Sequence, residues 1–374
     1  MTAPTLARTR LLLAALIFAA CRPAGSQGFP AAEQRARTAA HARIAVTSAA
    51  EAEFGTITAI DADTRGRIFV ADWMQKRVTV LSPEGRVLRT LGAVGSGPGE
   101  FRAMRGLQVL PGDSLAVYDP ELARVTVYEP QSLRVGSTAN LGPRLHGSAP
   151  FRVVRLTGGG FVALFRSGFM FNGGVLAPRR DSVAVLRADG TPAATIASVP
   201  PRPFLMSGFS MTPNPFGREP LVAADTRGHA LYVWTDSLAV RTYDDTGSLQ
   251  SHFSIPYQAP RVERKDVDGE LAAMDERARG TFAQALADSA PSHWPAVRDL
   301  LVDEAGRLWI ALAGPRGAPR EWAVFTPGGA YLRSVLVPEQ VTLRAVRRGR
   351  LYGDQSDDDG VPSVVVLTLD RELQ

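Results

Sequence analysis

The chain has 374 residues, 45% hydrophobic and 21% charged, with 35 Gly, 27 Pro and a formal charge of +5. This composition excludes a disordered chain and a collagen-like repeat. A single cysteine excludes an intramolecular disulfide framework and a cysteine-rich metal site.

The amino end reads as an export signal over residues 1–20. Arg8 and Arg10 precede the apolar run Leu11 to Ala20, which as a helix reaches only about 15 Å, half of a hydrocarbon core. It is too short for a stable span and has the layout of a signal peptide. The stretch Ile17-Phe18-Ala19-Ala20-Cys21 resembles a bacterial lipoprotein box, with Phe18 where leucine is usual. Cys21 is therefore the expected lipidation site, with residues 21–41 as the tether to a membrane. The other reading is a plain secretory signal, which leaves Cys21 incidental and the protein secreted.

A four-part unit then recurs six times between residues 42 and 374. Its marker is a turn glycine followed by an apolar strand, starting at Gly66, Gly112, Gly160, Gly228, Gly306 and Gly349. An apolar strand lies ahead of each: Ile57–Asp61, Leu107–Leu110, Phe151–Leu156, Leu221–Asp225, Leu300–Asp303 and Val341–Val346. A third strand follows each, beginning at Val78, Val125, Val183, Val240, Trp322 and Val364. Several third strands lead through a glycine turn into a fourth, as at Gly85, Gly247 and Gly328-Gly329. Strand, turn, strand, loop, strand, turn, strand is an antiparallel meander. The third strands begin 47, 58, 57, 82 and 42 residues apart, a base period in the forties with insertions. One such meander per repeat is a β-propeller blade; a pair of β-sandwiches is the competing arrangement.

The sixth unit stops after three strands, and an unpaired edge is an aggregation hazard. The orphan segment Arg43-Ile44-Ala45-Val46-Thr47 is expected to supply its outer strand and close a six-bladed ring. Two insertions break the period. Pro203 to Glu219 reads as a long apolar loop. Residues 259–289 read as helical, with Leu271, Met274, Ala278, Phe282 and Leu286 on one face, as a rim cap rather than a lid over the channel.

The stretch Asp61-Ala62-Asp63-Thr64-Arg65-Gly66-Arg67-Ile68-Phe69-Val70-Ala71-Asp72 resembles an NHL-type propeller repeat. Gly95-Ser96-Gly97-Pro98-Gly99-Glu100-Phe101 is similar to the Gly-Pro-Gly-Glu-Phe element of bacterial six-bladed β-propeller lipoproteins. The resemblance spans about residues 42–370 and implies an architecture more than a chemistry. Pro98 removes a backbone donor and Glu100 adds negative charge, so this element is an inter-blade turn with Phe101 buried, not a phosphate cradle.

The residues give no local catalytic motif. His41, His146, His229, His252 and His293 lie too far apart for a local metal-ligand pair. A propeller can assemble ligands from several blades, and Asp61, Asp119, Asp225, Asp299 and Asp303 are the candidates by position. Their competing role is to accept turn N–H groups. Asp354 to Gly360 gathers four carboxylates but lacks the downstream Glu of an EF-hand loop and reads as a solvated hairpin. No catalytic, cofactor-binding or metal residue is assigned, and no cofactor is expected.

The sequence therefore predicts an all-β, six-bladed propeller at the cell envelope, monomeric and not a nucleic-acid binder. It would act as a non-catalytic module that binds a ligand, glycan or protein at one face. The alternative is a metal-assisted lyase or hydrolase, lactonase-like, with a divalent cation at the channel. Cys21→Ser is expected to move the protein from the membrane fraction to the soluble fraction; continued membrane fractionation would reject the anchor.

Overall fold

The computed structural model describes residues 28–49, 51–141, 149–167, 180–208 and 210–370. The signal segment, Cys21 and His146 lie outside the described residues. The first elements are helix α1 (Ala32–Thr38) and strand β1 (Ala40–Thr47). Blade one is β2 (Ile57–Ala62), β3 (Ile68–Asp72), β4 (Arg77–Leu81) and β5 (Val87–Leu91). The short strands β6 (Ala93–Val94) and β7 (Glu100–Phe101) connect it to blade two, which is β8 (Gly106–Val109), β9 (Leu115–Asp119), β10 (Arg124–Tyr128) and β11 (Val135–Asn140). Blade three is β12 (Arg152–Arg155), β13 (Phe161–Phe165), β14 (Asp181–Leu186) and β15 (Pro192–Val199).

A hairpin of β16 (Phe204–Ser207) and β17 (Ser210–Pro213) precedes blade four: β18 (Pro220–Ala224), β19 (Ala230–Trp234), β20 (Ala239–Tyr243) and β21 (Leu249–Ser254). Helices α2 (Arg264–Ala272) and α3 (Glu276–Ser289) follow. Blade five is β22 (Val297–Val302), β23 (Leu308–Leu312), β24 (Arg320–Phe325) and β25 (Tyr331–Val337). Blade six is β26 (Thr342–Arg347), β27 (Arg350–Ser356) and β28 (Pro362–Leu369), completed by β1.

The protein is an all-β propeller of six antiparallel blades, as the repeat predicted. Its core is divided among the blade interfaces. Successive residues of a strand point to opposite faces of the sheet, and each face meets a different neighbour. Along β3, Ile68 and Val70 join the cluster with Tyr352 and Val364 of blade six, whereas Phe69 and Ala71 join Leu115 and Val117 of blade two. Both faces are buried, so central strands such as β3, β9, β13 and β23 are buried at every position. Their sequences are near-continuous apolar runs instead of an alternation with polar residues.

Closure is more extensive than the sequence indicated. β1 pairs antiparallel with β28, with Ile44 opposite Leu367 and Thr47 opposite Val365. Its first residues also pair in parallel with β25, Ala40 opposite Val335 and His41 opposite Leu336. One strand thus joins blades five and six into a single eight-stranded sheet. Within the segment expected to be tether, Phe29, Arg35, Ala39 and Ala40 are packed against the body, whereas residues 31–34 and 36–38 are exposed. Phe29 sits among Tyr257, Phe325 and Tyr331, with ring centroids 5.3–5.8 Å away. Arg35, 4% exposed, bonds Glu321 at 2.7 and 3.2 Å and the Pro30 carbonyl at 2.7 Å, and its guanidinium lies 4.3 Å over the Phe29 ring.

Phe101 is fully buried between blades one and two. Gly92 has φ +90°, and a Cβ there would stand 2.7 Å from the Phe101 ring, so the close approach requires glycine. The insertion at 203–219, expected as a loop, instead forms the β16–β17 hairpin. Its residue Leu205, together with Phe216, packs against Phe282, Leu286 and Trp294 in a separate core with the helices.

Two outcomes test this closure. Deleting Arg43 to Thr47 should lower the thermal midpoint of the whole molecule; an unchanged midpoint would contradict it. Arg35→Met leaves Glu321 without its cation and is expected to cost about 3 kcal/mol, read as a lower urea midpoint.

Candidate binding site at the channel mouth

Among the described residues, each blade ends on an inner strand with no sheet partner on its channel side: β2, β8, β12, β18, β22 and β26. These edges surround a cavity of about 460 Å³. A second cavity of about 370 Å³ lies toward the hairpins that join first and second strands, and the two share Gln108, Ala224, Val302 and Arg347.

Side chains from one blade satisfy exposed backbone of the next around part of this ring. Asp61 accepts from the Val109 N–H at 2.8 Å. Gln108 both donates to the Arg155 carbonyl at 3.2 Å and accepts from its N–H at 3.0 Å. Arg347 bonds the Asp61 carboxylate at 2.9 Å and the Val302 carbonyl at 3.1 Å. The Asp61 charge holds the Arg347 guanidinium above its ordinary value, against the opposing effect of burial.

The loops at the mouth are held by buried acceptors at the ends of second strands. Asp72, fully buried, accepts from Gly55, Thr56 and Gln75 N–H groups. Asp119, equally buried, accepts from Arg102, Ala103, Glu121 and Leu122 N–H groups at 2.7–3.1 Å. In blade four the Thr235 hydroxyl accepts from Glu219 N–H at 2.8 Å. Inner strands β2, β22 and β26 each carry an irregularity at the same level, at Thr58, Arg298 and Arg344. Bulges of this kind re-aim side chains. The Thr58 hydroxyl bonds the Met104 carbonyl, Arg298 bonds the Pro215 carbonyl, and Arg344 bonds Asp354 at 2.6 Å.

The five aspartates singled out by position do not converge. Asp61 and Asp299 line the cavity, with Asp61 bound to Arg347 and Asp299 accepting its neighbour's Leu300 N–H. Asp119 lies under the mouth loop. Asp225 and Asp303 sit at the opposite end and accept turn N–H groups, from Arg227 and His229 and from Ala305 and Arg307. Asp303 also binds Arg307 and the Trp309 indole N–H. Among the described residues, no three His, Cys, Asp or Glu side chains are grouped to hold a metal ion. In the acidic hairpin, Asp357 accepts from Asp359 and Val361 N–H groups. No described residue of the two insertions lines the 460 Å³ cavity.

What the cavity does present is cationic. Arg105, Arg152, Arg344 and Arg347 face it, against Asp61 and Asp299. Beside it the Arg166 guanidinium stacks 3.6 Å over the Phe151 ring, and Arg105 lies 4.7 Å from the same ring. Glu219 binds Arg166 at 2.6 Å and Arg202 at 3.4 Å. Burial pushes the Arg166 guanidinium below its ordinary value; Glu219 and Asp181 oppose this, while Arg202 and Arg105 add to it. Sequence reasoning missed this group because its members come from three blades. A signal was present: residues 130–180 contain seven arginines and no carboxylate.

Residues 44–144 match the DUF5128 family model, described as a 6-bladed beta-propeller. The resemblance holds for the fold. The propeller superimposes on a Bacteroides fragilis protein described as exported, with TM-score 0.51 and 11% identity over 90% of this chain and 96% of that one. It is similar to a member of the DUF4221 family from Bacteroides vulgatus, with TM-score 0.52 and 9% identity over 89% and 99%. A gluconolactonase from Xanthomonas campestris aligns at TM-score 0.46 and 15% identity over 93% and 99%, which brings nothing of its chemistry to this chain. No protein of curated function matches. No helix among the described residues is long and apolar enough to cross a membrane.

Asp119→Ala strips four N–H groups of their acceptor and is expected to cost about 3 kcal/mol. Asp119→Asn, which keeps one carbonyl acceptor, should recover part of the loss in urea melts; equal midpoints for all three proteins would contradict this role.

Proposed function

We propose that this propeller is a non-catalytic binding module of the cell envelope, held to a membrane through lipid on Cys21, that receives a ligand, glycan or protein at its cationic channel mouth. The observation that supports this reading is the lining itself: arginines, an aromatic ring, small residues and strand edges. Such a surface recognises by hydrogen bonding and charge. Of the aspartates that could have served a hydrolytic site, Asp61 is engaged with Arg347, and Asp119, Asp225 and Asp303 with loop and turn N–H groups. A binding surface on a rigid ring needs no moving part, and the buried Asp72 and Asp119 fix its loops.

Elemental analysis of the purified chain tests the reading. It predicts no stoichiometric metal after gel filtration. One tightly held divalent cation per chain would overturn it in favour of metal-assisted chemistry.

A further inference from the structure

Resting on the binding reading, we infer that the mouth between blades two and three, at Arg105 and Arg152, is a recognition site for an oxyanion: the carboxylate, sulfate or phosphate group of a small molecule or acidic glycan. Four observations converge on it. First, both guanidiniums line the 460 Å³ cavity, Arg105 exposed and Arg152 half-buried. Neither has a carboxylate within ion-pair distance among the described residues, whereas Arg344 and Arg347 hold Asp354 and Asp61. Arginine presents a planar fork of donors that matches an oxyanion in two-point fashion, and such charge-assisted bonds are the strong ones.

Second, the neighbouring charges do not neutralise the site. Glu219 is already shared between Arg166 and Arg202. Asp181 is 1% exposed and accepts from the Ser167 N–H and hydroxyl at 2.8 and 2.9 Å. The buried Arg202 Nε has no hydrogen-bond partner among the described residues. Asp299, on blade five, lies across the cavity from this mouth and is, among the described residues, the one lining carboxylate outside any ion pair.

Third, the flanking chain supplies no missing acid. The segments 142–148 and 168–179, which adjoin Phe151 and Ser167 in sequence, contain Arg144, His146 and Arg179 and no Asp or Glu. The carboxylate-free run of 130–180 covers both.

Fourth, Arg105 is positioned before any ligand arrives. Arg105 lies against Phe151, and its loop is held by Asp119 through the N–H groups of Arg102 and Ala103. The Tyr118 hydroxyl bonds the Pro150 carbonyl at 2.5 Å, which fixes the start of blade three beside Phe151. Preorganised donors lose less on binding. An arriving oxyanion offsets the like charge that Arg105 and Arg202 place beside Arg166.

The test is calorimetric titration of the full chain with sodium glucuronate, inorganic sulfate and inorganic phosphate, with glucose as the neutral control. At least one oxyanion should bind, more weakly as salt rises, and glucose should not bind in its place. Which oxyanion binds tightest separates the carboxylate source from sulfate and phosphate. Arg105→Gln and Arg152→Gln should each weaken binding by about tenfold or more, with unfolding midpoints unchanged. Arg86→Gln, on the outer part of blade one, should leave binding unchanged. Binding of none of the three anions, or equal losses in all three variants, would overturn the assignment. With a metal-free chain, that result removes this site and leaves the wider binding reading standing; a stoichiometric metal removes the wider reading itself.

Discussion

The two-sided pairing of β1 is the constraint on which the rest of the molecule depends. A propeller has no central core. Its apolar surface is buried in the interfaces between successive blades, and here every blade contributes each face to a different neighbour. An interface exists only while both blades are held in place, so the ring must be closed. β1 completes blade six with residues 42–47 and reaches through Ala40 and His41 to the outer strand of blade five. Phe29 and Arg35 then fasten the same segment to blade five, so closure combines strand pairing, ring packing and a buried ion pair. A chain tethered at Cys21 would be tethered to the latch itself.

Closure also creates the surface available for recognition. Bringing the six inner strands together leaves their free edges facing a common channel, where backbone groups require partners. From blade five through blades six, one and two to blade three, side chains supply some of those partners: Arg347, Asp61, Thr58 and Gln108 each bridge to an adjoining segment. Between blades three, four and five the lining is Val153, Val154, Val222, Ala223 and Leu300 instead. The cationic mouth lies where these regimes meet, over the part of the chain that has no carboxylate. Aspartates placed one step back, at the ends of second strands, keep the loops in position without entering the channel.

Much of the architecture was legible because a blade strand has a local signature. A turn glycine, a run buried on both faces and a base period in the forties are properties of neighbouring residues, and the orphan strand at Arg43–Thr47 was conspicuous by having no unit of its own. The helical face from Leu271 to Leu286 was legible for the same reason. The parallel contact of Ala40 and His41 with β25 was not, because nothing local distinguishes two extra strand residues from tether. Phe29 falls in the segment expected to be tether, and its place is set by three rings distant in sequence, Tyr257, Phe325 and Tyr331. The hairpin at Phe204–Pro213 escaped because its order comes from packing against α3. The cationic group was least legible of all, since Arg105, Phe151, Arg152, Arg166 and Glu219 come from blades two to four and are spread over residues 105–219 of the chain; the carboxylate-free run is its one trace in the sequence.

Native-state hydrogen exchange across β1 tests the central claim most directly. If β1 closes the ring, the amides of Ile44 to Thr47 that pair with β28 exchange only through global unfolding, with the same free energy as amides in β3 and β23. Fast exchange of β1 while the blade interiors stay protected would show a ring that does not need its latch, and would contradict the account.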